Sequence, residues 1–312
     1  MFVAVFVAVA HRKPACFLAT HYHRSVVGLT EAAGVVLAGG RSSRMGRPKA
    51  ALAWHGSTLL HRTTALLART VGGPVLVVAA PDQDLPELPP RVEVVADPVE
   101  GLGPMRGLAT GLAALGDRSP AAFVCSTDLP FLHPALIRRV LRGFAAPDGD
   151  TVDVVLPVAR GYRQPLAAGY RTALAGLVER LLGEGDLRPG MLFRHCRVAQ
   201  LDDDALLTDE LARHDPGLDS LVNVNEPDDY AAALARPEPE VVVERFGALA
   251  SGGRRGPCVV RASSLGAAAA AVGMTLDRHV VAAVNGDQMT RDARLPLVAG
   301  DVVAFLSADA GG

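Results

Sequence analysis

Leu37-Ala38-Gly39-Gly40-Arg41-Ser42-Ser43-Arg44-Met45-Gly46-Arg47-Pro48-Lys49-Ala50 decides how this chain is read. The stretch follows the apolar run Ala33-Gly34-Val35-Val36, and two glycines end that run abruptly. Four cations, Arg41, Arg44, Arg47 and Lys49, then follow in quick succession. Small residues that tolerate unusual backbone angles, set beside clustered cations, suit a loop whose N–H groups approach an anion closely. A nucleotide polyphosphate is the natural occupant. The loop is not a Walker P-loop, because Gly46 is followed by Arg47-Pro48-Lys49, and no G-x-G-x-x-G accompanies it.

Downstream of the loop, the spacing of Leu59, Leu60, Thr63, Leu66 and Leu67 predicts an amphipathic helix over 58–70. Residues 75–78, bounded by Gly72-Gly73-Pro74 and Pro81-Asp82, read as a buried strand. Residues 92–96 form the next strand, closed by Asp97-Pro98, and a helix through Leu115 follows. Residues 121–125 are a further strand, ended by Ser126-Thr127-Asp128-Leu129-Pro130. Pro134 then opens a helix with Leu136, Ile137, Val140 and Leu141 on one face. Strand, loop and helix in alternation predict a Rossmann-like α/β fold, a mostly parallel sheet covered by helices on both faces. In such sheets ligands bind beyond the carboxyl ends of the strands, so the loops at Gly39, Asp97 and Asp128 converge on one crevice. Past residue 150 the pattern loosens to strands at 154–157 and 166–170, a helix at 171–182, polar loops, and a closing helix at 227–235.

Arg236-Pro237-Glu238-Pro239-Glu240 is stiff and polar, without apolar periodicity, and reads as a linker between a domain at 31–235 and a small one at 241–312. The small unit shows strands at 241–246, from 259, at 280–284 and at 302–306. Its helix, 265–272, follows the capping pair Ser263-Ser264, and Asn285-Gly286 is a tight-turn signal. Residues 1–30 read as an extension outside the fold. Their apolar segment, 1–10, precedes its charges rather than following them, and is too short to span a bilayer.

A formal net charge of −2, with 49% hydrophobic residues, argues against a nucleic-acid binder held by bulk electrostatics. No membrane partner is expected. Cys16, Cys125, Cys196 and Cys258 form no C-x-x-C pair, so neither a structural zinc site nor a disulfide framework is expected, and a reducing cytoplasm is the default compartment.

Asp128, at a strand end beside the phosphate loop, suits Mg²⁺, which uses one or two protein carboxylates with phosphate oxygens and water. Its competing role is to cap the turn or the following helix. Lys49 and Arg44 would neutralise charge on transferred and leaving phosphates, against the alternative of solvated loop cations. Asp97 would orient a ribose, base or acceptor, or else initiate its turn. His55, His61, His133 and His195 lack metal-ligand spacing and read as structural or surface residues, and Cys125 as a small buried apolar one.

The opening stretch resembles the signature loop of nucleotidyltransferases that make sugar nucleotides and related activated metabolites. Within them it is most similar to the molybdenum cofactor guanylyltransferase (MobA-like) group. The likeness continues through Asp97-Pro98, Gly103-Pro104, Gly107, Cys125 to Phe131, Gln164-Pro165-Leu166 and Asn223 to Asp229, in that order. The resemblance implies GTP as substrate and molybdopterin as acceptor. It places Leu37, Ala38, Gly39 and Gly40 around the base, Lys49 on the phosphates, Asp97 on the nucleotide, and Asp128 on Mg²⁺ and GTP. Asn225 would be a second metal-side residue. Ala79-Ala80 stands where the group often has asparagine.

The tail resembles a second family, the β-grasp sulfur carriers (MoaD/ThiS-like). Arg245 to Leu249, Ala283-Val284-Asn285-Gly286, Ala299 to Phe305 and the terminal Gly311-Gly312 carry that likeness. It implies a carboxylate on Gly312 that is adenylated and thiocarboxylated, and as partners an adenylating E1-like enzyme and the large subunit of molybdopterin synthase. The competing reading of Gly311-Gly312 is a frayed end.

Overall fold

The computed structural model describes residues 31–39, 45–98, 102–144, 152–185, 187–250, 256–286 and 288–308. The extension at 1–30, Gly40, Arg41, Arg44, Gly311 and Gly312 lie outside the described residues.

The chain opens with β1 (Ala33–Leu37), buried along its whole length, and the short hairpin β2 (Ala53–Trp54) and β3 (Ser57–Thr58). α1 (Leu59–Ala68) begins where the Thr58 side chain accepts from the His61 N–H, a standard N-cap that satisfies one orphan donor. Its Leu59, Leu60, Leu66 and Leu67 are fully buried, each contributing about 1.5–3 kcal/mol by the usual transfer scale. β4 (Val75–Ala79), β5 (Val92–Ala96), α2 (Gly103–Leu115), β6 (Ala121–Ser126) and α3 (Pro134–Arg142) follow. After them come β7 (Val154–Ala159), β8 (Tyr162–Arg163), β9 (Ala167–Arg171), α4 (Ala175–Gly183), α5 (Pro189–Leu192), β10 (Val198–Leu201), α6 (Asp203–Leu206), α7 (Asp209–His214) and α8 (Pro227–Leu234).

The main sheet runs β10-β7-β9-β6-β1-β4-β5, with β8 paired to β7. β6, β1, β4 and β5 are mutually parallel, as is β10 with β7. Alternate residues of β1 divide between two cores. Val36 packs with Val77, Phe123, Leu66 and Leu136 on one face, while Val35 and Leu37 pack with Val78, Val124 and the α2 leucines on the other. The fold is therefore a mixed α/β one with helices on both faces of a mostly parallel sheet.

β9 departs from the parallel pattern, pairing antiparallel with both β6 and β7. The chain reverses after β7 through Arg160-Gly161, both at positive φ (51° and 79°), a connection too short for a parallel crossover. The predicted helix at 171–182 divides into a 3₁₀ turn (Thr172–Leu174) and α4. The stretch read as polar loops contains α5, β10, α6 and α7, each of four to six residues and too short for a periodic signal.

A second sheet is built from β11 (Glu240–Arg245), β12 (Cys258–Arg261), α9 (Leu265–Ala271), β13 (Val280–Val284), β14 (Gln288–Thr290) and β15 (Val302–Ser307), in the order β12-β11-β15-β13-β14. β11 is parallel to β15 and the other pairs are antiparallel. Val241, Val243, Val303 and Phe305 face Leu265 and Ala268 of α9 in its core. Ser264 caps α9 by accepting from the Ala267 N–H, and Asn285-Gly286 (φ 55° and 81°) turns β13 into β14.

The two sheets meet at a seam held by a buried ion pair. Arg69 at the end of α1 donates through Nη1 and Nη2 to the Asp301 carboxylate at 2.9 Å, with the two side chains 6% and 4% exposed. Val298 enters the core of the main sheet. Gly300 has φ +82° and lies flush against His214, so that an added Cβ would sit 2.2 Å from the ring. The stretch before β11 is held in the same seam. Arg236 pairs with Asp219 at 3.0 Å and stacks 4.4 Å over Phe131, while Glu238 accepts from the Ser263 N–H.

Candidate active site

Asp128 follows β6, beyond the carboxyl end of the parallel strands. Ser126 donates its hydroxyl to Asp128 Oδ1 and so fixes the carboxylate's rotamer. The Val224 N–H donates to the Asp128 carbonyl at 2.9 Å, which lays the segment before α8 alongside. Asp229 completes that segment as a capping box, accepting from the N–H groups of Asn225 (2.9 Å) and Glu226 (3.0 Å). From the other side, Pro48 ends the loop and Lys49 opens a 3₁₀ turn (Lys49–Ala51). Met45, Leu52, Trp54, Leu59, Val224, Tyr230 and Ala233 form a small apolar cluster beneath. Tyr230 also donates its hydroxyl to the Ala53 carbonyl. That cluster ties the loop to α8.

The result is a convergence of three predicted residues. Lys49 Nζ lies 2.9 Å from Asp128 Oδ2 and 2.9 Å from Asn225 Oδ1. These partners are 79 and 176 residues away in sequence. Asp128 does not cap α3; His133 does, its Nδ1 accepting from the Ala135 N–H at 3.0 Å.

The residues expected around the base lie at the ends of β1 and β4. The N–H groups of Ala38 and Gly39 both donate to the Val78 carbonyl (2.8 and 3.2 Å). Leu37 is buried below, and α2 approaches so closely that a Cβ on Gly107 would lie 3.2 Å from Leu37 Cδ2. Beside Ala79-Ala80, Gln83 accepts from the Ala80 N–H (2.9 Å) and donates to the Ala38 carbonyl (3.0 Å). Asp97 follows β5, three strands from β6, which is about 14 Å at the usual spacing. Its carboxylate accepts from Thr110 (3.3 Å) and faces Arg106 Nε at 3.5 Å. It therefore shares the edge of the sheet with Asp128 without touching it. Cys125 is fully buried, and burial pushes its thiol pKa up, as suits a packing residue rather than a nucleophile.

Residues 34–205, more than half of the chain, match the family described as the MobA-like NTP transferase domain. The chain belongs to that family. It is 43% identical over 163 residues to a Mycobacterium tuberculosis protein named "Probable molybdenum cofactor guanylyltransferase", covering 51% of this chain and 78% of the relative. A Mycobacterium avium protein of the same name is 39% identical over 156 residues, covering 49% and 76%. Among solved structures, molybdopterin-guanine dinucleotide biosynthesis protein A from Archaeoglobus fulgidus superposes with a TM-score of 0.52 at 22% identity, over 64% of this chain and 96% of that one. That likeness carries the nucleotidyltransferase fold. With the family and its relatives, it makes this chain a nucleotidyltransferase.

The oxygen donors at this convergence raise the question of a metal. Asp128 Oδ2 and Asn225 Oδ1 are hard oxygen donors aimed at one point, now held by the Lys49 ammonium. Among the described residues no group of three or more His, Cys, Asp or Glu side chains clusters as a metal cage. One carboxylate and one amide oxygen beside a triphosphate suit Mg²⁺ and not Zn²⁺. Ser126 and Gln83 are the supporting residues that sequence reading passed over. Ser126 had a usable signal, a hydroxyl two residues before a strand-end aspartate; Gln83, in a loop, had none.

Proposed function

We propose that this chain transfers GMP from Mg-GTP to molybdopterin and releases pyrophosphate. The convergence of Lys49, Asp128 and Asn225 at the carboxyl edge of the parallel strands carries the reading, and the names of the mycobacterial relatives support the acceptor. A terminal phosphate oxygen of the acceptor attacks the α-phosphorus of GTP, the bond to the bridging oxygen breaks, and pyrophosphate departs. Asp128 and Asn225 would hold Mg²⁺, which would supply charge neutralisation on the phosphates. Lys49, on a flexible stem, moves from Asp128 to the phosphate oxygens, and Arg44, Gly39 and Gly40 would contribute to binding the nucleotide. Leu37 and Ala38 line the base, and Asp97 contacts the nucleotide.

Pyrophosphate release measured with molybdopterin and each of four nucleoside triphosphates tests this. GTP should be preferred and Asp128→Ala should abolish release. Preference for CTP would sink the guanylyl assignment, and release unaffected by Asp128→Ala would sink the site.

For residues 241–312 we propose a β-grasp sulfur carrier acting in the same pathway. The strand order β12-β11-β15-β13-β14 around α9, with one parallel pair at its centre, supports it. The outward face of that sheet also carries Val259, Val302 and Met289, exposed by 64%, 37% and 59%, a surface suited to an adenylating enzyme or the large synthase subunit. Mass spectrometry of Gly312 after incubation with an E1-like enzyme, ATP and a sulfur donor should show a thiocarboxylate; sulfur transfer that persists after deletion of Gly312 would refute the proposal.

A further inference from the structure

A cavity of about 300 Å³ lies in the seam, remote in role from the crevice. Trp54 of the β2–β3 hairpin and Phe131 and His133 before α3 line it on one side, and Ser263, Val298 and Ala299, from loops of the second unit, on the other. Its volume is at the lower end of those that hold small molecules. Its charges decide what it holds.

Arg62 of α1 lines this cavity at 7% exposure. Its Nε donates to the Pro130 carbonyl at 2.8 Å, but the guanidinium makes no ion pair among the described residues, and its Nη groups are not sealed from solvent. Burial lowers its pKa to about 10, so it stays charged at neutral pH. The nearby carboxylate, Asp301, is fully engaged by Arg69, Asn285 Nδ2 and the Val298 N–H. Every carboxylate in the cavity wall is likewise engaged. Asp215 accepts from the N–H groups of Asp219 and Ser220, Asp219 pairs with Arg236, and Glu238 with His55 and the Ser263 N–H. Among the described residues Arg62 is thus the cavity-wall guanidinium without an ion pair, while the Asp215 carboxylate is held by N–H groups alone. A buried guanidinium left so is costly, and its planar fork matches an oxyanion.

We infer that the seam cavity is a binding site for a small oxyanion, a phosphate or carboxylate group, held by the Nη groups of Arg62. This second site is separate from the nucleotide crevice and lies where the two sheets meet, so its occupant contacts both.

Calorimetric titration of the full chain tests it, with inorganic phosphate, ribose 5-phosphate and citrate as probes. A Lys49→Met background weakens phosphate binding in the crevice, and only binding that responds to the seam variants counts. At least one probe should bind, and Arg62→Met should weaken it about tenfold or more, the worth of charge-assisted hydrogen bonds. Ala299→Leu, which fills the cavity with Arg62 intact, should weaken it equally and covers the case in which Arg62→Met fails to fold. Phosphate binding identifies a phosphate ligand, and citrate binding alone a carboxylate. No binding by any probe at 10 mM, about the limit at which a site is specific, or binding unchanged in either folded variant, overturns the inference.

Discussion

Two cation–carboxylate pairs in this molecule have similar contact distances and opposite character. Lys49–Asp128 and Arg69–Asp301 both close at 2.9 Å. In the crevice the side chains are 18% and 13% exposed, the contact is through one oxygen, and the cation is a single ammonium on a flexible stem. At the seam they are 6% and 4% exposed, the fork engages the carboxylate through both Nη groups, and Asn285 and the Val298 N–H complete the shell. A partly wet, single-point pair costs little to rearrange, whereas a dry pair whose carboxylate is fully engaged costs much to break. The first suits a site whose cation would exchange partners, as the proposed mechanism requires; the second is a clasp.

The same substitution at both aspartates tests that distinction most sharply. Asp128→Asn should lower pyrophosphate release about 10³-fold, the scale of losing a charge-stabilising group at a phosphoryl centre, while the melting temperature stays near the parent's. Asp301→Asn should do the reverse. Leaving Arg69 buried and poorly paired costs about 3 kcal/mol, a melting shift of several degrees, with turnover well below the melt close to the parent's. If Asp301→Asn melts like the parent, the seam pair is not a clasp.

His133 offers a subtler test at the same seam. Its Nδ1 accepts from the Ala135 N–H and its Nε2 faces the Ala299 carbonyl at 3.0 Å, so the ring is neutral, and burial lowers its pKa to about 4. The unfolded histidine binds a proton near pH 6.5 and the folded one does not, so stability falls as pH drops from 6.5 towards 4. The Asp215 carboxyl, raised by burial, opposes this at the acid end, while Glu210, lowered through Arg138, adds to the acid loss. His133→Asn keeps an acceptor for the cap without the titration. Melting curves between pH 4 and 7 should be flatter in that variant, by roughly 2 kcal/mol over the range. A slope equal to the parent's would place the acid sensitivity elsewhere.

How far all this was legible follows from the range of each interaction. Leu59, Leu60, Leu66 and Leu67 write α1 into the sequence, and Asp128 is marked by the strand it ends. Asn225 was placed by likeness, since nothing local says that it reaches Lys49 across 176 residues. The clasp was invisible for the same reason: Arg69 and Asp301 are 232 residues apart, each in an ordinary setting. The His55-Gly56 turn of the β2–β3 hairpin, with φ of 42° and 82°, was too short a signal between two-residue strands. Arg62 could have been noticed. It falls three residues after Leu59 and four before Leu66, on the face those leucines bury, and a charge there needs a reason.

The smallest expected effect sharpens the comparison furthest. Lys49 Nζ stands within 2.9 Å of both oxygens that would hold a divalent cation, so ammonium and metal compete for one place. A pair this exposed is worth at most about 1 kcal/mol, so Lys49→Met should raise Mn²⁺ affinity without nucleotide by no more than about fivefold. The same variant should bind GTP more weakly, because the phosphates lose their ammonium. Opposite signs for metal and nucleotide would show that one side chain serves the carboxylate at rest and the phosphates in the complex. Spin-resonance titration of free Mn²⁺ measures the first and calorimetry the second. A fall in both affinities would mean that Lys49 organises the donors rather than standing in for the metal, and the crevice pair would then be a clasp like the one at the seam.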